Sequence, residues 1–133
     1  MMNKKIFSIF CLGVMGILPC VAQQALWGGS DIVSPELQED GRVTFRIYAP
    51  EARTVEVQGV FLATQLYETP FGKTAGPGRA ALHKDENGLW TYTTDSLASE
   101  LYCYTFRVDG LQVADPNNVF QLRDVATISN YFK

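Results

Sequence analysis

The chain has 133 residues, of which 47% are hydrophobic and 12% aromatic, and its formal net charge is −3. This length suits one domain with a single modest core. The acidic balance argues against nucleic acid or an anionic lipid surface as a partner. We therefore expect no nucleic acid partner and, apart from one alternative given below, no membrane attachment.

The first 22 residues have the pattern of a cleaved signal peptide. Lys4 and Lys5 form a basic start, residues 6–18 form an apolar run, and Ala22 ends it with small residues at the positions that a signal peptidase reads. The apolar run is too short for a comfortable membrane span. We predict a secreted or periplasmic protein whose mature chain begins near Gln23.

Cleavage would change both the charge and the cysteine content. Lys4 and Lys5 leave and no acidic residue does, so the formal charge moves from −3 to about −5. Cys103 then becomes the single cysteine, which excludes an intrachain disulfide. The alternative is lipidation at Cys20, which would give an outer-membrane lipoprotein, although Pro19 directly before the cysteine fits a lipidation site poorly.

After an extended lead-in over residues 23–41, short strands are predicted between turns. Alternation of apolar and polar residues predicts strands over 43–48, 54–58, 89–93, 101–108, 111–113 and 126–132. The glycines and prolines of 61–82 predict an irregular loop there. Since no segment has a sustained helical period, we predict an all-β fold, an antiparallel β-sandwich over residues 42–133.

The sequence offers no combination of residues that predicts catalysis by this chain. His83 is the single histidine, and no serine lies in a Gly-x-Ser-x-Gly turn that would expose a nucleophile. Cys103 lies within an alternating strand, where a structural thiol is the expected role. One histidine and one cysteine cannot build a tetrahedral zinc site. We therefore expect no catalytic residues, no metal and no cofactor.

For the carboxylates and most of the aromatic residues, a structural role is preferred over a functional one. Asp109 and Asp115 both lie in turns, where aspartate serves the backbone. Most aromatic residues lie on the inward parity of predicted strands and are expected in the core. Tyr67 and Phe71, in the irregular segment, are the better candidates for contact with a ligand or partner, because loops on a rigid scaffold commonly carry function.

The order of motifs resembles the early-set immunoglobulin-like domains, and in particular carbohydrate-binding module family 48 and the N-terminal domains of glycogen-branching and debranching enzymes. The resemblance rests on VTFRIYAPEA at 43–52, TVEVQG at 54–59, NGLW at 87–90, YCYTFRVDG at 102–110 and ADPN at 114–117. It covers roughly residues 41–132 and implies an immunoglobulin-like β-sandwich. It also brings glycans into consideration as ligands.

A closer resemblance concerns the N-terminal domain of secreted Bacteroidetes carbohydrate esterases of the feruloyl-, acetylxylan- or enterochelin-esterase-like type. Residues 71–78 and 123–132 carry it. In that family the sandwich precedes an α/β-hydrolase domain with the serine nucleophile. The resemblance implies a non-catalytic accessory module that packs on an esterase domain in the same polypeptide through the 61–82 loop, with a plant polysaccharide as a further partner.

The residues that bind glycans in family 48 are only partly matched. No tryptophan follows Gly59, and the positions of the family's lysine and second tryptophan hold Thr105 and Gln112. Asn130 falls close to a sugar-contacting asparagine of the family and joins Tyr67 and Phe71 as a contact candidate. The alternatives to the accessory module are a free-standing glycan-binding module and a structural or interaction domain without a ligand.

Overall fold

The computed structural model describes residues 31–133, so the predicted signal peptide, Cys20 and residues 23–30 of the lead-in lie outside the described part. The described chain is made of short strands joined by turns. In chain order they are β1 (Glu36–Leu37), β2 (Val43–Tyr48), β3 (Val55–Gly59), β4 (Gln65–Thr69), β5 (Gly72–Gly76), β6 (Gly78–Ala81), β7 (His83–Lys84), β8 (Leu89–Thr93), β9 (Tyr102–Val108), β10 (Leu111–Val113), β11 (Gln121–Arg123) and β12 (Ile128–Phe132).

These strands form two antiparallel sheets and a separate hairpin. The first sheet has the order β1-β2-β8-β7 and the second the order β11-β12-β9-β3-β6, with β10 also paired to β9. Strands β4 and β5 pair only with each other. The predicted all-β, immunoglobulin-like sandwich is confirmed.

The core lies between the sheets and is rich in aromatic rings. Phe45 of β2 has no exposed surface, and its ring centroid is 4.8 Å from that of Tyr104 on β9 and 5.7 Å from that of Phe132 on β12. Edge-to-face contacts of this kind add to the stabilisation that burial provides. The rings of Phe45 and Tyr104 therefore face the core, as the alternation in β2 and β9 predicts.

The predicted turn at Asp109 and Gly110 adopts the backbone that its residues favour. Asp109 and Gly110 have φ values of 48° and 85°, and Asp109 Oδ1 accepts hydrogen bonds from the backbone N–H groups of Arg53 and Thr54. These hydrogen bonds, that from Thr54 first, hold the pKa of the Asp109 carboxyl below its ordinary value. The carboxylate thus links the β9–β10 turn to the start of β3.

The prediction of an irregular loop over 61–82 was wrong, because β4, β5 and β6 lie within it. Its glycines and prolines occupy turns and strand ends. Gly72 turns the β4–β5 hairpin with a φ of 110°, and Pro77 separates β5 from β6. The lead-in also contains a short strand, since β1 pairs with β2. No helix of residues 31–133 is long and apolar enough to cross a membrane.

Candidate functional site

The outward side of the second sheet carries a shallow polar pocket. Its outward side chains, which define the polar pocket, come from β3, β9, β10 and β12 and are Gln58, Cys103, Thr105, Gln112 and Ser129. The pairing of Gln58 with Thr105 and of Gln112 with Arg107 places these side chains on one surface. The pocket has a volume of about 220 Å³. Amide and hydroxyl groups can hydrogen-bond a sugar, but these five side chains supply no ring for stacking and no cation.

Tyr67 of the β4–β5 hairpin contacts Pro77, which is part of the lining of this pocket. The Tyr67 hydroxyl donates to the carbonyl of Pro77 at 2.5 Å, and Gln58 Nε2 donates to the same carbonyl at 3.3 Å. The guanidinium of Arg79 lies 4.2 Å from the centre of the Tyr67 ring. One face of this ring is therefore covered by a cation, an arrangement that is itself attractive.

Phe71 is fully exposed at the turn of the same hairpin. It lies four positions after Tyr67, and the hairpin register pairs Tyr67 with Thr74 and Thr69 with Gly72. The ring of Phe71 is thus held beyond the end of the paired region. The structure places both predicted contact residues on one hairpin, but brings neither of them to Asn130, which lies on β12.

Asn130, the third predicted contact residue, is buried with no exposed surface, so its side chain is not open to a ligand in this structure. It lies opposite Tyr104, which is an inward position of β9. Its Oδ1 accepts a hydrogen bond from the backbone N–H of Asp115 at 2.6 Å, and its Nδ2 donates to the carbonyl of Asn118 at 2.9 Å. The side chain holds the 115–118 turn to β12 from inside.

Asn130 is part of a buried polar cluster that sequence reasoning missed. The cluster comprises Ser34, Tyr104, Asp115, Asn118 and Asn130. Asp115 Oδ2 accepts from Ser34 Oγ at 2.7 Å and from the Tyr104 hydroxyl at 2.8 Å. Asn118 Nδ2 donates to the Tyr104 hydroxyl and to the carbonyl of Tyr131, each at 3.0 Å. The predicted turn is present, since Asp115 Oδ1 accepts a hydrogen bond from the N–H of Asn117. The local sequence did not predict the buried hydrogen bonds that Asp115 Oδ2 accepts.

Burial dominates the electrostatics of this cluster. It raises the pKa of the Asp115 carboxyl above its ordinary value, although hydrogen bonds from Ser34, Asn117 and Tyr104 act in the opposite direction. Burial and the neighbouring Asp115 raise the pKa of the Tyr104 hydroxyl as well, so it stays protonated and donates. The side chains of the cluster are buried and each has a hydrogen-bond partner, which suits a structural role.

An apolar groove lies beside this cluster. We define the apolar groove by Val33, Leu37, Val119, Phe120 and Phe132, which lie along its lining. It has a volume of about 540 Å³. Four of these side chains are largely exposed: Val33 by 58%, Leu37 by 53%, Val119 by 87% and Phe120 by 59%. Sequence patterns did not predict the groove, because its two sides come from segments in which no strand was predicted.

Residues that could perform chemistry are dispersed over the described chain. His83 lies exposed on β7, and Cys103 is partly exposed on the outward side of β9. Within residues 31–133, no group of three or more His, Cys, Asp or Glu side chains could hold a metal ion.

Comparison with known proteins decides the family. The sequence model of carbohydrate-binding module 48, described as the isoamylase N-terminal domain, matches residues 33–120. The chain belongs to carbohydrate-binding module family 48. The family 48 resemblance predicted from the motifs is therefore confirmed, and the match ends just before β11. No curated protein sequence matches this family 48 chain.

Solved structures support the fold of this family 48 module. A pullulanase from Paenibacillus barengoltzii, solved with maltotetraose, is 23% identical with a TM-score of 0.52, and the alignment covers 77% of this chain and 15% of that one. The Group B Streptococcus pullulanase SAP is 16% identical with a TM-score of 0.54, covering 79% of this chain and 15% of that one. The chain thus spans about 15% of the length of these enzymes. Both are pullulanases, so these comparisons give no support to an esterase parent.

Proposed function

We propose that this chain is a non-catalytic accessory module of a carbohydrate-active enzyme and packs against the catalytic domain of that enzyme. Membership of family 48 over residues 33–120 carries the proposal, because the family is described as the N-terminal domain of isoamylase. An N-terminal domain of an enzyme has a catalytic domain as its neighbour. The polar pocket supports packing over glycan binding as the main role, since Thr105 and Gln112 stand where the resemblance expects a cation and a stacking ring.

The catalytic chemistry of the parent has two candidates. The pullulanases among the solved structures favour a glycoside hydrolase. The carbohydrate esterase rests on the resemblance of residues 71–78 and 123–132, and the second of these segments lies beyond the family match. We take the parent to be a secreted carbohydrate-active hydrolase and keep the esterase as the finer, alternative proposal. Secretion or periplasmic export rests on the signal-peptide pattern of residues 1–22.

The experiment is to read the coding sequence past Lys133 and to weigh the exported protein. We expect a mature protein that begins near Gln23 and continues into a catalytic domain. A Gly-x-Ser-x-Gly motif with later Asp and His would indicate an esterase, and a pair of catalytic carboxylates would indicate a glycoside hydrolase. A protein that ends at Lys133 would contradict the accessory role.

A free-standing glycan-binding module is the second candidate, and the position of Tyr67 beside the polar pocket favours it. Aromatic rings bordering polar side chains are typical of sugar-binding surfaces. We would measure retardation of the mature chain in native gels containing starch or xylan. Binding at this site predicts retardation that Tyr67→Ala weakens and that Tyr48→Ala leaves unchanged, because Tyr48 is exposed on the other sheet. Absence of retardation in both gels would remove this candidate.

A further inference from the structure

We infer that the apolar groove, rather than the β4–β5 hairpin, is the surface that receives the catalytic domain, and that it binds an apolar surface of the polypeptide following Lys133. This inference rests on the proposed function. It differs from the expectation that the 61–82 segment makes the contact. The kind of partner follows from the chemistry of the lining, its rigidity and the path of the chain.

The lining of the groove is apolar and exposed at the same time. Val33 and Leu37 form one side, Val119 and Phe120 form the other, and each of the four is more than half exposed. Covering such side chains is favourable by about 25 cal/mol for each Å² removed from water. Contiguous exposed apolar surface of this kind marks interaction sites on soluble proteins.

The hairpin is a weaker candidate because its exposed apolar side chains are few. Leu66 and Phe71 are the large hydrophobic side chains that β4, β5 and their turn expose. Tyr67 is already engaged with Pro77 and Arg79. The hairpin also pairs with no other strand, so it is held less firmly than the groove, and ordering it on binding would cost more conformational entropy.

Both sides of the groove are fastened to the buried polar cluster. On one side, Ser34 Oγ donates to Asp115 and accepts from the backbone N–H of Arg46 at 3.0 Å. On the other, Asn118 Oδ1 accepts from the backbone N–H of Phe120 at 2.9 Å. The exposed side chains therefore stand on a preformed frame. A surface that is already ordered loses less conformational entropy on binding.

The path of the chain indicates which partner meets this surface. Lys133 is itself part of the groove lining, next to Phe132. A domain joined after Lys133 would begin beside the groove, and attachment at that point gives its nearest surface a high effective concentration. An apolar face of the following domain is thus the occupant that the geometry favours.

The test compares amide hydrogen exchange in the mature chain ending at Lys133 with that in the longer natural polypeptide. In the longer polypeptide we expect exchange about tenfold slower at residues 33–37 and 117–120, since amides beneath an interface are released only when it opens. Residues 65–76 of the hairpin should exchange at the same rate in both. The reverse pattern, with slowing confined to the hairpin, would overturn the inference in favour of the hairpin.

Charged substitutions separate a direct contact from an indirect effect. Val119→Asp should restore fast exchange at residues 117–120 of the longer polypeptide, and the milder Val119→Ser should do so in part. Leu111→Asp is the matched control, because Leu111 is 73% exposed and pairs with Val108, at the far end of β9 from Phe132. Unchanged unfolding of the mature chain carrying each substitution confirms that it folds.

The failure of the inference can be distinguished from the failure of the proposed function. Equal exchange at the groove in both forms, or a Val119→Asp variant that keeps slow exchange in the longer polypeptide, would overturn the inference and leave the accessory role standing. A natural polypeptide that ends at Lys133 would overturn both.

Discussion

Asp115 is 1% exposed and accepts hydrogen bonds from Ser34, Tyr104 and Asn117 with its two carboxylate oxygens. A buried acceptor with several donors cannot be removed without leaving those donors unsatisfied, and each such group costs free energy. The sequence predicts the turn at this position correctly, because Asp-Pro is typical of turns. It cannot predict the two hydroxyl donors, Tyr104 and Ser34, which lie 11 and 81 residues away along the chain.

We predict that Asp115→Ala lowers the free energy of unfolding by about 3 kcal/mol, because it leaves the Tyr104 and Ser34 hydroxyls without their acceptor. Urea unfolding of the mature chain would measure the loss. Asp124→Ala is the control, since Asp124 is exposed and its carboxylate accepts from the N–H of Val125 in a surface turn. A loss no larger than that of the control would contradict the role assigned to the cluster.

The same comparison has a predicted pH dependence. Burial raises the pKa of Asp115, so the folded state binds a proton more readily than the unfolded state does, whose pKa lies near the ordinary value of about 3.9. The stability that Asp115 contributes therefore falls as pH rises from that ordinary value through the folded-state pKa. The difference in unfolding free energy between the parent chain and Asp115→Ala should shrink across this interval, and a difference that grew instead would contradict the pKa shift.

At the scale of elements, the least predictable segment was 61–82. Gly59 and Gly78 lie opposite each other on β3 and β6, and the chain at Leu62 and Ala63 passes directly against Gly78. A Cβ at Gly78 would lie 2.2 Å from the carbonyl oxygen of Ala63. This glycine is needed for a close approach between two backbones. Local rules for glycine predict a turn or loop and do not anticipate such an approach.

We predict that Gly78→Ala displaces the 62–63 segment from β6 and lowers the unfolding free energy by about 1–3 kcal/mol, the range typical of overpacking. Thermal or urea unfolding would measure the loss, and amide exchange would locate it at β6. Thr74→Ala is the matched control, because Thr74 is exposed on β5. If both substitutions had the same small effect, the close approach would have no energetic importance.

The longest strands that sequence patterns identified have one face on the core. Strands β2, β8 and β10 were predicted with the bounds they have, and β3, β9 and β12 within two residues. The alternation in β2, β3 and β9 follows from one face lying on the core and the other facing outward. Strands β1 and β7 have two residues each, which is too few for a pattern to be recognised, and β11 lies outside every predicted strand.

At the scale of the whole molecule, one aromatic core joins two sheets. Phe45 from the first sheet contacts the rings of Tyr104, Phe106 and Phe132 from the second. This core fixes how the two sheets lie on each other. It thereby fixes the distance between β1, at the edge of the first sheet, and β12, near the edge of the second. The apolar groove opens along that side and is a product of the sandwich as a whole.

The sequence by itself determined the fold class, the inward rings of the main strands, the turns at Asp109 and Asp115, and the family resemblance. Each of these depends on residues close together in the chain. Only the tertiary structure decided that Asn130 is buried, that Tyr67 lies against Arg79 and that Val33 and Val119 share one groove. The physical reason is that burial and contact depend on which strands become neighbours. Pairing between segments 80 residues apart leaves no periodic trace in either segment.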